Sequence, residues 1–413
     1  MQEVKRLKNG IRIVTKSVPD LYSVSMGIYV GTGSAREEDR NNGISHLIEH
    51  MMFKGTKTRS AFAIADEMDG IGAKTNAFTT KEMTCYYAKS TADHTEKCFE
   101  ILSDLFCHSV FPEEELEREK KVVLEEISMI EDTPEDLASD ILSEQFFRGI
   151  SLARPIIGTR EKVSAMTRQD LLDYIAQYYA NSHIVIAFAG KISMKEAEML
   201  VDRYFDWDNP VSRCDVCYPE EYECGGIVTR AKDVEQASIC LGYDFAKFDD
   251  PDSYKYLLLN TVLGGGMSSR LFQEIREKLG YAYSVYSYAT QYRNAGLFTV
   301  YLGTNPENVN KCLEVTDRLL EEFQEKGISQ KEFERGREQL KSSIVFGQEN
   351  NTGLMNAYGK YLLFTDKLFD FEGKLAEFEH YTLEEMNRLA RTMFDRRKKT
   401  VAMVAKKKFL LPS

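Results

Sequence analysis

The segment His46-Leu47-Ile48-Glu49-His50 places two histidines and one acid within a single stretch of the chain. On a helix, His46 and His50 lie one turn apart and point to the same side. Two imidazoles so placed can both reach a tetrahedral Zn²⁺ at about 2.0–2.1 Å. Glu49 lies on nearly the same face and can accept a proton from a water molecule whose pKa the zinc lowers towards 7. The alternative is a histidine pair with no metal, beside a capping carboxylate.

A hydrolytic zinc site needs a third protein ligand and an open fourth position. Glu126 is the candidate, in a segment around 115–130 whose pattern is helical. Glu119 lies two helical turns earlier on the same face and can support a ligand from behind. Glu125 points about 100° away from Glu126. Taken alone, the pattern of this acidic helix favours a solvated surface over a metal site.

An internal repeat separates these readings. Residues 111–127 align without gaps with 328–344, so that Gly336 replaces Glu119 and Ser343 replaces Glu126. Segment 167–189 matches 382–404 in pattern, with a capping Thr, a helix and a hydrophobic strand. The two matches in the same order indicate a duplication. The acids therefore occur only in the half that also carries the two histidines.

Hydrophobic periodicity supplies the elements that must position these residues. The predicted elements are a hairpin turning at Asn9-Gly10, a strand at 23–30, helices at 43–53 and 61–68, two strands within 76–90, a helical region at 95–130 broken at Pro112, a helix at 167–179 and a strand at 183–190. Strands and helices alternate without a regular βαβ repeat, which favours an α+β fold. The polar segment at 209–224 is the predicted linker between a catalytic domain at 1–208 and a homologous domain at 225–413. Cys214-x-x-Cys217 together with Cys224 could supply three ligands of a second metal ion, but no fourth ligand lies nearby in the sequence.

The composition is that of a globular protein, with 43% hydrophobic and 29% charged residues. It excludes fibrous and mostly disordered chains. The net charge of -12 argues against nucleic acid as the main partner and permits basic ligands. No apolar run approaches the roughly 18 residues of a membrane helix, and no signal segment precedes the first hairpin. The expectation is a cytoplasmic bacterial protein with reduced cysteines and no membrane partner.

The sequence resembles the pitrilysin-type zinc peptidases, with their inverted H-x-x-E-H order. Within them it is most similar to the mitochondrial processing peptidase β-subunit and its bacterial homologues. The segments that carry the resemblance are GTGSARE at 31–37, NGISHLIEHMMFKGT at 42–56, KTNAFTTKEMTCYYAKS at 74–90, EREKKVVLEEISM at 117–129 and GGGMSSRLFQEIREKLGYAYSV at 264–285. Together they span both halves of the chain.

The resemblance implies roles for particular residues. His46, His50 and Glu126 would bind one zinc ion per chain, Glu49 would be the general base, and Glu119 would be a supporting acid. The remaining implied site residues are Asn76 and Ala77, on an edge strand that pairs with the substrate backbone, and Arg276 and Tyr283, which the second half contributes near the scissile carbonyl.

The resemblance further implies two α+β domains, each an antiparallel-rich sheet with packed helices, that close like a clam around the substrate. It also implies a homodimer. The predicted function is a zinc metalloendopeptidase that hydrolyses peptides or unfolded segments in extended form, with basic peptides favoured by the net charge. One alternative is an inactive partner subunit or scaffold of a processing-peptidase-like complex. Another is a zinc hydrolase acting on a non-peptide substrate.

Overall fold

A computed structural model describes residues 1–210 and 222–406, which form two compact units. Among the described residues, the first unit comprises 1–127, 154–210 and 345–369, and the second comprises 128–153, 222–344 and 370–406. The predicted linker falls largely outside the described residues, as do Cys214 and Cys217 of its Cys-x-x-Cys motif. The domain limits 1–208, 209–224 and 225–413 therefore stay a prediction.

Each unit is built on one mixed sheet. The strands are β1 (Gln2–Arg6), β2 (Arg12–Ser17), β3 (Ser23–Val30), β4 (Lys74–Thr79), β5 (Thr84–Thr91), β6 (Ile184–Gly190), β7 (Gly226–Ala231), β8 (Ala237–Asp244), β9 (Ala282–Gln291), β10 (Gly296–Thr304) and β11 (Thr400–Ala405). The first sheet has the order β1-β2-β6-β3-β5-β4, and the second has the order β7-β11-β8-β10-β9.

The helices cover both sheets and connect their strands. They are α1 (Ile44–Met52), α2 (Ala61–Gly70), α3 (Thr95–His108), α4 (Glu113–Asp132), α5 (Pro134–Phe146), α6 (Arg160–Ala165), α7 (Arg168–Tyr178), α8 (Met194–Tyr204), α9 (Ser253–Gly264), α10 (Val309–Lys326), α11 (Gln330–Gln348), α12 (Asn351–Thr365), α13 (Phe371–His380) and α14 (Leu383–Ala390), with a π-helix at Phe272–Lys278. In the described part of the chain, no helix combines the length and apolarity needed to cross a membrane.

The two sheets share one topology, which agrees with the duplication inferred from the sequence. In the first sheet β6 runs parallel to β2 and antiparallel to β3, and in the second β11 runs parallel to β7 and antiparallel to β8. The helix before each of these two strands begins with a capping box, at Thr167 in one half and Thr382 in the other. The predicted α+β class is confirmed, and β1 is an additional strand of the first sheet.

The two halves exchange a helix, which the sequence did not predict. Helix α5 follows α4 in the first half of the chain, yet it packs on β8 and β11 of the second unit. Helix α12 follows α11 in the second half, yet it packs on β2, β3 and β6 of the first unit. Each sheet is therefore covered by a helix that the other half of the sequence encodes.

Close contact between α12 and β3 depends on a glycine. A Cβ atom at Gly359 would lie 2.4 Å from a ring carbon of Tyr29, which is fully buried. The Tyr29 hydroxyl donates to Oδ1 of Asn356 at 2.6 Å, and Arg12 donates to the carbonyl oxygen of Leu362 at 3.2 Å. The helix is thus held by one steric fit and by polar contacts along its length.

Helix α1, which carries both predicted histidine ligands, is fixed at its N-terminus by a buried acid. The Glu37 carboxylate is 3% exposed and accepts hydrogen bonds from the backbone amides of Gly43 (2.7 Å) and Ser45 (2.9 Å) and from Nδ2 of Asn42 (2.8 Å). Burial raises the pKa of Glu37, and these hydrogen bonds oppose the rise. Gly43 precedes the helix with φ 98°, a left-handed conformation that glycine adopts readily. A negative group at this position also complements the helix dipole.

The contact at Gly359 predicts opposite effects for two alanine substitutions. Gly359→Ala forces Tyr29 to move and should lower the free energy of unfolding by about 1–3 kcal/mol. Gly347→Ala in α11 adds a Cβ that meets no atom within 4 Å. It should therefore be neutral or gain up to about 1 kcal/mol from helix propensity. Urea unfolding followed by the fluorescence of Trp207, the chain's single tryptophan, measures both. Equal stability of the two variants would contradict a close steric contact between Gly359 and Tyr29.

The buried carboxylate predicts that Glu37→Gln is destabilising although it preserves shape. Three N–H groups and the Ser45 hydroxyl contact Glu37. Because an N–H group can only donate, the new amide NH₂ would leave at least one of these N–H groups without an acceptor. The expected loss is about 1–3 kcal/mol in the same urea experiment. Glu3→Gln, at an exposed position of β1, is the control and should leave the unfolding curve unchanged. A Glu37→Gln protein as stable as the wild type would show that α1 needs no such acceptor.

Candidate metal centre and active site

Helices α1 and α4 bring the three predicted metal ligands together. One donor atom from each of His46, His50 and Glu126 can be chosen so that all lie within 4.8 Å of one another. Oε2 of Glu126 lies 3.8 Å from Nε2 of His46 and 3.5 Å from Nε2 of His50. The two imidazole ring centroids are 4.7 Å apart, as their one-turn spacing on α1 requires.

This donor set fits a zinc ion. Tetrahedral coordination with bonds of about 2.0–2.1 Å separates neighbouring ligand atoms by about 3.4 Å, close to the distances observed here. Two imidazoles and one carboxylate are also the ligand types found in catalytic zinc sites, where the fourth position stays open. The ligand side chains are partly exposed, with 16% for His46, 17% for His50 and 36% for Glu126. A metal bound there would thus be accessible to solvent and substrate.

The protonation state of His46 also suits a metal ligand. Burial lowers the pKa of His46 to about 4, and the neighbouring His50 contributes to the shift. The imidazole is therefore neutral at pH 7, with a free nitrogen lone pair. The 3.8 Å approach of Glu126 to His46 is then a convergence of ligand atoms and not an ion pair.

Glu119 supports His50 from the side away from Glu126. Its Oε2 lies 3.0 Å from Nδ1 of His50, and its Oε1 lies 2.6 Å from Nζ of Lys54. The Glu119 side chain is 8% exposed, so both contacts are shielded from water. A hydrogen bond at Nδ1 fixes the ring orientation and leaves Nε2 directed at Glu126.

Glu49 lies on α1 within the electrostatic reach of this group. Burial raises the pKa of Glu49, Glu126 raises it further, and His50 together with a hydrogen bond from Thr79 opposes the rise. The Thr79 hydroxyl donates a short hydrogen bond to Oε2 of Glu49. A carboxylate whose pKa is raised in the direction of the working pH is suited to accept a proton and to return it.

Asn76 and Ala77 lie on β4, which forms one edge of the first sheet. Among the described strands β4 pairs only with β5, where Asn76 faces Tyr87 and Ala77 faces Tyr86. The backbone amide of Ala77 donates to the side-chain Oδ1 of Asn76 at 2.9 Å. The Asn76 side chain thus accepts a hydrogen bond from the Ala77 N–H group on the edge strand β4. Helix α1 contacts this strand, so the edge lies beside the metal centre.

Arg276 and Tyr283 lie together in the second unit. The Arg276 guanidinium lies over the Phe272 ring at 4.7 Å and over the Tyr283 ring at 5.6 Å. Tyr283 is 72% exposed, and the ion pair of Arg276 with Glu277 is long, at 4.0 Å. Arg276 lies on the π-helix, a form that recurs at functional sites. Their action on a substrate held by the first unit stays a prediction.

Three residues that contribute to the site were not predicted from the sequence. Thr79 contacts Glu49, Lys54 contacts Glu119, and Glu37 holds α1. The available signals were proximity in sequence, since Lys54 follows His50 by four residues and Thr79 closely follows Asn76, and membership of the segments that carry the family resemblance, in which all three residues lie. Their partners lie on other elements, so composition and periodicity could not identify them.

Comparison with protein families assigns both halves of the chain. Residues 12–160 match the insulinase model of peptidase family M16, and residues 165–340 match the model described as the peptidase M16 inactive domain. A Bacillus subtilis protein named an uncharacterized zinc protease is 40% identical, with 94% of both chains covered. A protein of the same description from Streptomyces coelicolor is 35% identical, with 95% of this chain and 87% of the relative covered.

Solved structures show the same fold. The match to a structure from Pseudomonas fluorescens, described as a peptidase M16 inactive domain, has a TM-score of 0.91 at 22% identity and covers 100% of both chains. A protease structure from Helicobacter pylori matches with a TM-score of 0.91 at 21% identity, covering 98% of this chain and 99% of the other. The resemblance to pitrilysin-type peptidases is confirmed at the level of the family, whereas special closeness to the processing peptidase β-subunit stays a prediction. The chain belongs to peptidase family M16.

Proposed function

We propose that the protein is a zinc metalloendopeptidase that cleaves peptides or unfolded segments bound in extended form. The observation that carries the proposal is the convergence of His46, His50 and Glu126 donor atoms within 4.8 Å, with Glu49 on the same helix as the two histidines. The names of the relatives from Bacillus subtilis and Streptomyces coelicolor support zinc as the metal and a peptide bond as the target.

The open edge of β4 supports an extended substrate. A peptide added to this edge would pair its backbone with β4, as in other cases of β-augmentation. The Ala77 amide, now bonded to Oδ1 of Asn76, would exchange that acceptor for a peptide carbonyl. Because this recognition uses backbone atoms, it would admit many sequences and exclude segments already folded into helices or sheets.

The side chains around the centre define the proposed reaction. A zinc ion held by His46, His50 and Glu126 would polarise the scissile carbonyl and lower the pKa of a water molecule towards 7. Glu49 accepts one proton of the attacking water while the water oxygen bonds to the carbonyl carbon and the C=O π electrons move to the carbonyl oxygen. Glu49 then returns the proton to the amide nitrogen, which leaves as an amine when the C–N bond breaks. Glu119 keeps the His50 ring oriented throughout.

Further features of the proposal concern the second half and the substrate. Arg276 would donate a hydrogen bond to the scissile carbonyl oxygen as that oxygen gains negative charge. Tyr283 lies beside Arg276. The net charge of -12 favours basic peptides by long-range attraction. The homodimer, the clam-like chamber and the cytoplasmic location stay predictions.

Glu49→Gln should abolish peptide cleavage while leaving the fold and the bound metal intact, because the amide cannot accept a proton. Incubation of wild type and variant with a mixed peptide library, read by mass spectrometry, measures this. Cleavage by the wild type alone supports both the peptidase and the base, and the cut sites show whether basic peptides are preferred. Equal cleavage by both proteins would contradict the assignment of Glu49 as the general base. No cleavage by a zinc-loaded wild type would favour the inactive-subunit alternative.

Glu126→Gln should weaken zinc binding strongly, because a neutral amide replaces a charged ligand. We expect at least a 10–100-fold rise in the Kd for zinc, since even the loss of groups behind the ligands costs about that much. Competition with a chromogenic chelator measures the Kd without reference to activity. Glu125→Gln is the matched control, because Glu125 is the adjacent acid of α4 and is exposed. Equal zinc affinity of the two variants would remove Glu126 from the ligand set.

A further inference from the structure

Thr79 ends β4 beside the proposed general base. Its hydroxyl donates a short hydrogen bond to Oε2 of Glu49, which belongs to a different element, α1. We propose that Thr79 is a positioning residue of the reaction: it holds one oxygen of the Glu49 carboxylate and thereby directs the other at the water to be activated. The inference rests on the proposed function and adds to it a residue to which neither the motif nor the metal ligands point.

The Glu49 side chain needs such a second point of attachment. Helix α1 fixes its Cα and Cβ atoms, but the bonds beyond Cβ rotate, and holding them in one arrangement costs conformational entropy. Threonine on a strand is a stiff donor, because its branched Cβ restricts χ1. A hydrogen bond from β4 to α1 therefore confines the carboxylate between two rigid elements.

The surrounding hydroxyls leave the proton of Thr79 available for Glu49. Oγ1 of Thr84 lies 3.5 Å from Oγ1 of Thr79, and Thr84 donates its own proton to the backbone carbonyl of Thr32 at 3.0 Å. Thr84 can therefore act towards Thr79 only as a weak acceptor. The Glu49 carboxylate is the stronger acceptor and takes the bond.

The same strand links the base to the proposed substrate edge. Thr79 lies on β4 with Asn76 and Ala77, whose backbone is proposed to pair with the peptide. A strand rises about 3.3 Å per residue with little freedom, so one backbone sets both the register of the peptide and the place of the base. This explains why a strand residue, and not one from α1, carries the donor.

Two substitutions separate positioning from structure. Thr79→Val keeps the shape and the strand preference but removes the donor, whereas Thr79→Ser keeps the hydroxyl. We expect Thr79→Val to lower kcat for peptide hydrolysis by about 10–100-fold, the range that misplacement of a reacting group produces. The KM and the zinc content of Thr79→Val should stay within about twofold of the wild type, and Thr79→Ser should retain most of the wild-type kcat.

Thr229→Val, on β7 of the second unit, is the matched control and should leave kcat unchanged. The proposal is overturned if Thr79→Val retains the wild-type kcat, if Thr79→Ser loses as much kcat as Thr79→Val, or if KM rises in step with the loss of kcat. A merely structural role for Thr79 would move KM, zinc content and stability together.

Crystal structures of zinc-loaded wild type and Thr79→Val supply a readout that does not depend on turnover. A displaced or multiply oriented Glu49 carboxylate in the variant supports the proposal, and a carboxylate in its original place overturns it. If the wild type cleaves no peptide, the proposed function fails, while this structural comparison still decides the role of Thr79.

Discussion

Helix α1 has only nine residues, and the whole site depends on what holds so short a helix in place. Isolated helices below about 12–15 residues are marginal in water, so its orientation must come from contacts outside itself. One side packs into the core through Leu47, Ile48 and Met51, which are fully buried. Glu37 satisfies amides at its N-terminus, and Glu119 restrains His50 on its functional side. The two histidines proposed as zinc ligands are therefore held by a carboxylate at each end of the arrangement and by apolar packing between them.

The second half shows what the same scaffold becomes without this chemistry. Helix α11 is the repeat of α4, and Gly336 stands where α4 has Glu119. A Cβ at Gly336 would lie 2.9 Å from a methyl group of Val262 on α9, so these two helices meet in close apolar contact. In the first half, the equivalent space between α1 and α4 is filled by the polar pair of His50 and Glu119. The two copies thus share the strand order, and differ in that one has a hydrogen-bonded polar pair where the other has direct apolar packing.

Much of this arrangement could be predicted from local patterns. The Asn9-Gly10 turn, the helical spacing of His46 and His50, and the break at Pro112 are properties of neighbouring residues, and they appear as predicted. The candidate ligand Glu126, which is distant in sequence from the histidines, could be singled out because the repeat supplied an internal comparison. The hydrogen bond from Thr79 to Glu49 could not be predicted in this way, because it joins a strand and a helix whose relative placement is not encoded in any sequence periodicity. The exchange of α5 and α12 was missed for the same reason: their apolar faces predict burial but do not say which sheet they cover.

The charges around the candidate centre act on the pKa of Glu49. Glu49, Glu119 and Glu126 are three carboxylates gathered around two histidines, of which His46 is neutral at pH 7. Lys54 compensates one of these charges through its contact with Glu119. Negative charge beside a partly buried carboxylate raises the cost of ionising it, which is the direction in which burial and Glu126 move the pKa of Glu49. A divalent cation would offset the negative charge that remains, so the charge balance that raises the pKa of Glu49 would also favour binding of the proposed metal.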